Sequence, residues 1–150
     1  MKWYLDVEGY QLHANYLCVK ELALLSEDGI ECHVYYVKSP RHHQFDVTNP
    51  SIQFQYNRHH LHWEDGEHNF YRVMRAISQK VQDDYVFVKG IDKVRLLERH
   101  LQHVVDLEML PSFKYLNCCM LECCSKRHGK FCARRKVYEL KNYIDNACLH

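Results

Sequence analysis

The sequence predicts one α/β domain, residues 1–150, built on a mixed β-sheet with helices on its faces. Hydrophobic residues make up 47% of the 150-residue chain, which is enough to bury one substantial core. Runs of aromatic and branched residues typical of strands crowd the first 40 positions. Helical spacings and short strands then alternate along the rest of the chain. A strand meander followed by such an alternation indicates a mixed sheet.

The predicted elements begin with three strands, at residues 2–6, 16–25 and 31–38, with Gly29 in the turn between the last two. Residues 39–65 hold two of the three prolines and are predicted to be a loop. The spacing of apolar residues then predicts a helix at 67–82, a strand at 85–88, a helix at 91–102, a strand at 103–107 and a last helix at 132–144. A weaker helix is predicted from Pro111 toward Cys119. Apart from that weaker helix, the order is β-β-β-α-β-α-β-α.

The composition narrows the classes of function. The formal net charge is +1, so the sequence lacks the electrostatic footprint of a strong nucleic-acid binder. The longest apolar run, residues 22–25, is far shorter than the roughly 20 residues that cross a bilayer. The N-terminus runs directly into a strand and does not resemble a signal peptide. We therefore expect a soluble intracellular protein, cytoplasmic or nuclear, with no membrane partner.

An acidic pair lies at the end of the first predicted strand. Asp6 and Glu8 point to the same side of an extended chain because side chains alternate. Two adjacent carboxylates repel each other unless a cation lies between them. This pair and the element order resemble the 3′–5′ exonucleases with four acidic residues (the DEDD nucleases), which have the ribonuclease-H-like fold. The resemblance implies a site for Mg²⁺ or Mn²⁺ if the chain is an active enzyme.

Two acidic positions of that family correspond to lysines in this chain. The family's second motif has an Asp four residues before a core leucine, and here Lys93 stands four residues before Leu97. The third motif has an Asp inside the last helix, where this chain has Lys136. A protonated lysine cannot ligate a metal ion. The resemblance therefore implies an incomplete catalytic set.

The lysines lead to a specific expectation for the geometry. Asp6 and Glu8 should face Lys93 and Lys136, forming two ion pairs in place of a two-metal site. If the register of the predicted helix at 91–102 is shifted by one residue, Asp92 replaces Lys93 and could act as a metal ligand.

A cysteine cluster precedes the last predicted helix. Five of the eight cysteines lie between residues 118 and 132, and Cys124, His128 and Cys132 are separated by three residues each. Thiolates and imidazoles at such short spacings suit zinc. Without an export signal, this pattern favours metal binding over disulfides. The doubled cysteines leave the choice of ligands open, and ordinary buried thiols are the alternative.

A fourth ligand is suggested by Glu21, which interrupts an otherwise apolar strand. A buried carboxylate is costly unless it is paired or bound to a metal. With Cys124, His128 and Cys132-Ala133, this residue resembles the Maelstrom domain, a piRNA-pathway relative of the exonucleases. That family lacks the nuclease carboxylates and has a Glu-Cys-His-Cys zinc set. The resemblance implies a structural Zn²⁺ ion held by Glu21, Cys124, His128 and Cys132. Residues 88–93 also resemble a segment of small transposon-associated proteins of arthropods.

A modest basic patch surrounds the last cysteines. Such a patch suits contact with phosphate groups, and an ordinary solvated helix face explains it equally well. Its members are Lys126, Arg127, Lys130, Arg134 and Arg135.

These observations lead to one leading hypothesis and two alternatives. The leading hypothesis is a catalytically degraded nuclease-fold protein that binds RNA or a protein partner and contains structural zinc. Resemblance links it to transposon or small-RNA biology. One alternative is an active metal-dependent 3′–5′ exonuclease that uses Asp6, Glu8 and Asp92. The other is a protein-interaction scaffold, which the low net charge favours over RNA binding.

Overall fold

The computed structural model describes residues 1–13, 16–40, 48–109 and 132–148. Five strands lie in this part: β1 Lys2–His13, β2 Tyr16–Ser26, β3 Cys32–Tyr36, β4 Tyr85–Val88 and β5 Val104–Asp106. Four helices accompany them: α1 Pro50–His59, α2 Phe70–Val81, α3 Ile91–Leu97 and α4 Ala133–Cys148, with a 3-10 turn at Leu107–Met109. None of these helices is long and apolar enough to span a bilayer. The predicted mixed α/β class is confirmed.

The five strands form one mixed sheet in the order β3-β2-β1-β4-β5. β2 is antiparallel to both β1 and β3, whereas β4 is parallel to β1 and β5 is parallel to β4. β1 is longer than predicted and pairs with β2 along most of its length. It pairs with β4 only over residues 2–4. Beyond Tyr4, therefore, the two strands separate.

Each face of the sheet carries its own hydrophobic core. One core packs odd-numbered residues of β1 against α2 and α3, with Val73, Ile77 and Leu97 among the buried helical residues. The other packs Tyr4 against α4 through residues that include Val137. The spacing from which the helices were predicted is thus the spacing of their buried faces.

The structure corrects one predicted element and does not describe another. The loop prediction for residues 39–65 is wrong for its second half, because residues 50–59 form α1. The weak helix from Pro111 toward Cys119 lies outside the described residues.

α1 is specified by polar rather than apolar signals. The Asn49 side chain caps its first turn, and Pro50 occupies the first helical position, where no amide donor is needed. Only Ile52 and His59 are buried. The Gln55 amide accepts from the backbone N–H of Gln11 at 2.6 Å and donates to its carbonyl at 3.2 Å. Through these two hydrogen bonds, Gln55 pairs with the backbone of β1 as a neighbouring strand would, and it holds α1 against the edge of β1.

A buried lysine ties the irregular segment after α1 to the sheet. The ammonium group of Lys20, which is 2% exposed, donates to the carbonyl oxygen of Val37 at 2.9 Å, to Ser39 Oγ at 2.8 Å and to the carbonyl oxygen of Trp63 at 2.8 Å. The carbonyl oxygen of Asp65 is a further acceptor. Burial lowers the pKa of Lys20 from its ordinary value. A single side chain thereby holds three chain segments together.

We expect Lys20→Met to lower the free energy of unfolding by about 3 kcal/mol, because buried carbonyls lose a shared donor. The matched control is Lys80→Met, which removes a half-exposed ammonium paired with Glu31 at 3.0 Å. That control should cost about 1 kcal/mol or less. Urea denaturation of the two variants makes the comparison, and equal losses would contradict a clamping role for Lys20.

Candidate functional site

The two acidic residues predicted as a site lie where β1 diverges from β4. Asp6 and Glu8 share the face of β1 that Tyr4 presents to α4, as alternation along a strand requires. β1 does not end at Asp6, as the sequence suggested, but continues to His13. The carboxylates therefore lie within a strand, beside the region where β4 has ended and α3 begins.

A backbone irregularity follows Glu8. The pairing register between β1 and β2 shifts between Glu8 and Gly9. A Cβ atom at Gly9 would lie 1.9 Å from the carbonyl oxygen of Cys18, so only glycine fits there. A bulge of this kind changes the direction of the neighbouring side chains. Gly9 thus helps to set the position of Glu8.

Asp6 forms a buried ion pair with Lys93. The Nζ atom of Lys93 lies 2.5 Å from Oδ1 of Asp6, whose side chain is 1% exposed, whereas that of Lys93 is 19% exposed. Among the described residues, nothing donates a hydrogen bond to Oδ2 of Asp6. Lys93, and not Asp92, reaches Asp6, and Asp92 is exposed to solvent. The alternative register, with Asp92 as the inward residue, is therefore wrong.

Glu8 forms a second ion pair, with Lys136 of α4. Both side chains are largely buried. Burial raises the pKa of Glu8, and the charge of Lys136 opposes that rise. Burial acts to lower the pKa of Lys136, but Asp6 and Glu8 outweigh it and the pKa is raised. Lys136 therefore stays protonated, and both ion pairs expected from the sequence are present.

Two further cations that the sequence prediction missed border these pairs. Nζ of Lys89 lies 3.8 Å from a carboxylate oxygen of Glu108. The positive charges of Lys93 and Lys136 act together with burial to lower the pKa of Lys89. Arg58, at the end of α1, also repels Lys136 electrostatically. Lys89 was recognisable as the residue after β4, but Arg58 lay in a segment predicted as loop. With Lys93 and Lys136, the group contains four cations and three carboxylates, those of Asp6, Glu8 and Glu108.

The structure brings two of the four predicted zinc ligands together. Oε1 of Glu21 accepts the backbone N–H of Ala133 at 2.6 Å, and Cys132 is the residue before Ala133. Both Glu21 and Cys132 are buried. Cys124 and His128 lie outside the described residues. Among the described residues, no three metal-ligating side chains form a cluster. Glu21 and Cys132 thus flank the start of α4, 111 residues apart in sequence.

The predicted nucleic-acid-binding residues divide in the same way. Lys126, Arg127 and Lys130 lie outside the described residues. Arg134 and Arg135 occupy the first turn of α4 and are half-buried. They immediately precede Lys136 in the sequence of α4.

The comparisons with known proteins identify no family. No protein-family model matches the chain, and no curated protein matches it at the significance threshold.

The ion pair of Glu8 with Lys136 predicts a pH-dependent defect. In Lys136→Met, the pKa of Glu8 should rise further because burial is less opposed. A raised folded-state pKa stabilises the fold only while the group is protonated, and that stability is lost as the pH increases through the pKa. We expect a loss of about 3 kcal/mol at about pH 8 and a smaller loss at about pH 5, measured by urea denaturation.

The matched variant is Lys136→Met combined with Glu8→Gln. It has no buried carboxylate left at position 8, so it should recover stability at the higher pH and lose the pH dependence. Equal stability of the single and double variants at both pH values would rule out the ion pair as the cause.

Proposed function

We propose that this chain is a catalytically silent protein of ribonuclease-H-like fold, related to the 3′–5′ exonucleases, that binds RNA without cutting it and contains a structural zinc ion. The observation that carries the proposal is the presence of two neighbouring ion pairs. Lys93 neutralises Asp6, and Lys136 neutralises Glu8, at the positions where the related enzymes have metal-binding carboxylates.

The residues present do not fit a divalent metal ion between Asp6 and Glu8. An ammonium group already lies 2.5 Å from Oδ1 of Asp6, and a second contacts Glu8. A divalent ion about 4 Å from one ammonium would be repelled by about 8 kcal/mol at an effective dielectric constant of 20. The two ammonium groups also cancel the negative charge of Asp6 and Glu8 that would attract the ion, so no step of phosphodiester hydrolysis is assigned to this site.

The sheet supports the fold part of the proposal. Three consecutive antiparallel strands are followed by two strands parallel to the first, with helices on both faces. The acidic pair lies on β1, one lysine lies near the start of α3 and the other lies in α4. The same three elements carry the motifs of the exonuclease family that the sequence resembles.

The zinc part rests on the pairing of Glu21 with the start of α4. A fully buried carboxylate on the second strand is costly unless it is paired or bound to a metal ion, and Oε1 of Glu21 accepts the backbone N–H of Ala133. Cys132 lies one residue from that amide. A zinc ion held by Glu21, Cys124, His128 and Cys132 would join β2 to the segment before α4 and neutralise the carboxylate.

RNA is favoured over a protein partner by the local excess of cations. The chain as a whole is nearly neutral, yet four cations lie near three carboxylates at this site: Arg58, Lys89, Lys93 and Lys136 near Asp6, Glu8 and Glu108. A local concentration of positive charge attracts phosphate even when the net charge of the protein is small.

The loss of catalysis is testable with single-stranded RNA and Mn²⁺. We expect the wild-type protein to leave the RNA intact and its melting temperature to be unchanged by Mn²⁺. Degradation that disappears in Asp6→Ala would establish the active-exonuclease alternative.

A gain-of-binding variant provides the positive control. Lys93→Asp together with Lys136→Asp places four carboxylates at the site, which repel one another unless a cation binds. This variant should melt at a lower temperature than wild type and be stabilised by Mn²⁺, since a ligand that binds only the folded state raises its stability. No response to Mn²⁺ would show that the lysines do not occupy a former metal site.

If the zinc site is present, we expect protein expressed with added zinc to contain about one equivalent of the metal. Cys132→Ser should lose the metal and lower the melting temperature, because the free energy of metal binding contributes to folding. Cys18→Ser is the matched control, as Cys18 is a buried thiol on the same strand as Glu21 and is not a proposed ligand. The zinc content of each variant is measured by elemental analysis. One equivalent of zinc in Cys132→Ser would show that Cys132 is not a ligand.

A further inference from the structure

α1 is attached to the sheet by few buried side chains. Its buried residues are Ile52 and His59. Gln55 adds the two hydrogen bonds to the backbone of Gln11. An element with so little buried apolar surface opens at a lower free-energy cost than the strands and helices of the two cores. The contacts of a single buried residue can therefore decide whether α1 stays docked.

His59 lies at the C-terminal end of α1 and is 3% exposed. Its Nδ1 atom accepts the backbone N–H of Leu61 at 3.0 Å. A ring nitrogen accepts a hydrogen bond only when it carries no proton. The neutral ring, with its proton on Nε2, is therefore the form that fits this position.

His59 and Leu61 both contact Tyr10 of β1. The rings of Tyr10 and His59 meet edge to face with centroids 4.7 Å apart, and the Tyr10 hydroxyl donates to the carbonyl oxygen of Leu61 at 2.5 Å. Burial raises the pKa of Tyr10 to about 12, so this hydroxyl keeps its proton. The position of His59 is thus coupled to the docking of the following turn against β1.

The surroundings of His59 disfavour its charged form. Burial lowers the pKa of His59 to about 4, from an ordinary value of 6.5. The backbone of Gly9 opposes this effect. Within the described part of the chain, the charged groups that act on the ring are cations, and they add to the lowering: Arg58, His60 and Lys136.

Protonation of the ring breaks the contact between His59 and Leu61. A second proton on Nδ1 faces the N–H of Leu61, so two donors oppose each other. The charged ring is therefore favoured only when His59 leaves its site, where its pKa returns toward the ordinary value. Stability that depends on a lowered pKa is present above the unfolded value of about 6.5 and is lost as the pH falls toward about 4.

The turn after α1 is held separately at Trp63. The carbonyl oxygen of Trp63 accepts from Nζ of Lys20 at 2.8 Å and also from the Ser39 hydroxyl. Acid favours the protonated form of Lys20, which is the form that donates this bond. Trp63 therefore stays attached to the sheet under the conditions that charge His59.

We propose that α1 and residues 60–62 form a hinged cover that leaves β1 at acidic pH, when His59 takes up a proton, while the five-stranded sheet stays folded. Opening frees the backbone N–H and C=O of Gln11, which Gln55 pairs with in the closed form. The cover thus couples acid to exposure of the edge of β1. It depends neither on RNA binding nor on zinc.

Hydrogen–deuterium exchange of the full chain, followed by mass spectrometry at pH 7 and pH 5, measures the opening. The observed rates are divided by the intrinsic exchange rate at each pH, so that the ratio reports the opening equilibrium. For a pKa of about 4 in the closed form and about 6.5 in the open form, opening of α1 should increase about 20-fold between these pH values. Amides of β2 should keep their protection.

The test variant is His59→Asn, because the Asn side-chain oxygen accepts a hydrogen bond and gains no proton in this pH range. The pH dependence of opening should disappear in this variant. The matched control is His60→Asn, which removes the neighbouring, exposed histidine. Asn tolerates the left-handed backbone at position 60, where φ is 54°. This control should open like the wild-type protein.

Three outcomes would overturn the proposal. A pH dependence that persists in His59→Asn would assign it to another group, such as Glu8, whose pKa is raised by burial. Equal loss of protection in α1 and β2 would show that acid unfolds the whole domain. The third test needs no variant and so holds even if His59→Asn does not fold. The imidazole of His59, followed by NMR in the wild-type protein, should titrate at least about one pH unit below 6.5, and titration at 6.5 would contradict the cover.

Discussion

Two carboxylates on one face of β1, covered by α4, impose the main electrostatic constraint on this fold. Asp6 and Glu8 are close in sequence and share a face, so the charge of Asp6 acts to raise the pKa of Glu8. Burial without compensation would cost several kcal/mol for each charge. Lys93 and Lys136 come from two different helices, on opposite faces of the sheet, and each must reach β1. The ion pairs therefore fix how both α3 and α4 approach the sheet.

Much of the fold follows from the period of its apolar residues. The buried faces of α2, α3 and α4 repeat at helical spacing, and the inward lysines could be located by counting from Leu97 and from the apolar residues of α4. α1 could not be found in this way, since Ile52 is its only buried apolar residue. Its position depends on the Asn49 cap and on the tertiary contact between Gln55 and the backbone of Gln11. The cap is visible in the sequence, whereas the tertiary contact is not.

The candidate site was predictable to a similar extent. Strand alternation, which is a local rule, gave the shared face of the two carboxylates. Their lysine partners were expected from the resemblance to the motifs of the exonuclease family. The surrounding cations were not predictable, since Arg58 reaches the site only through the docking of α1. The contact between Glu21 and Ala133 likewise depends on how α4 packs against β2, which a local pattern does not contain.

Under the proposed function, replacing metal ions by lysines changes more than the capacity for catalysis. A site of four carboxylates is strongly anionic when empty and is neutralised by two divalent ions, so its affinity for phosphate follows the concentration of the ion. The raised pKa of Lys136 keeps this lysine charged beside Glu8 across the physiological range. Under the proposed function, this charge arrangement holds a phosphate chain without a metal ion to cut it.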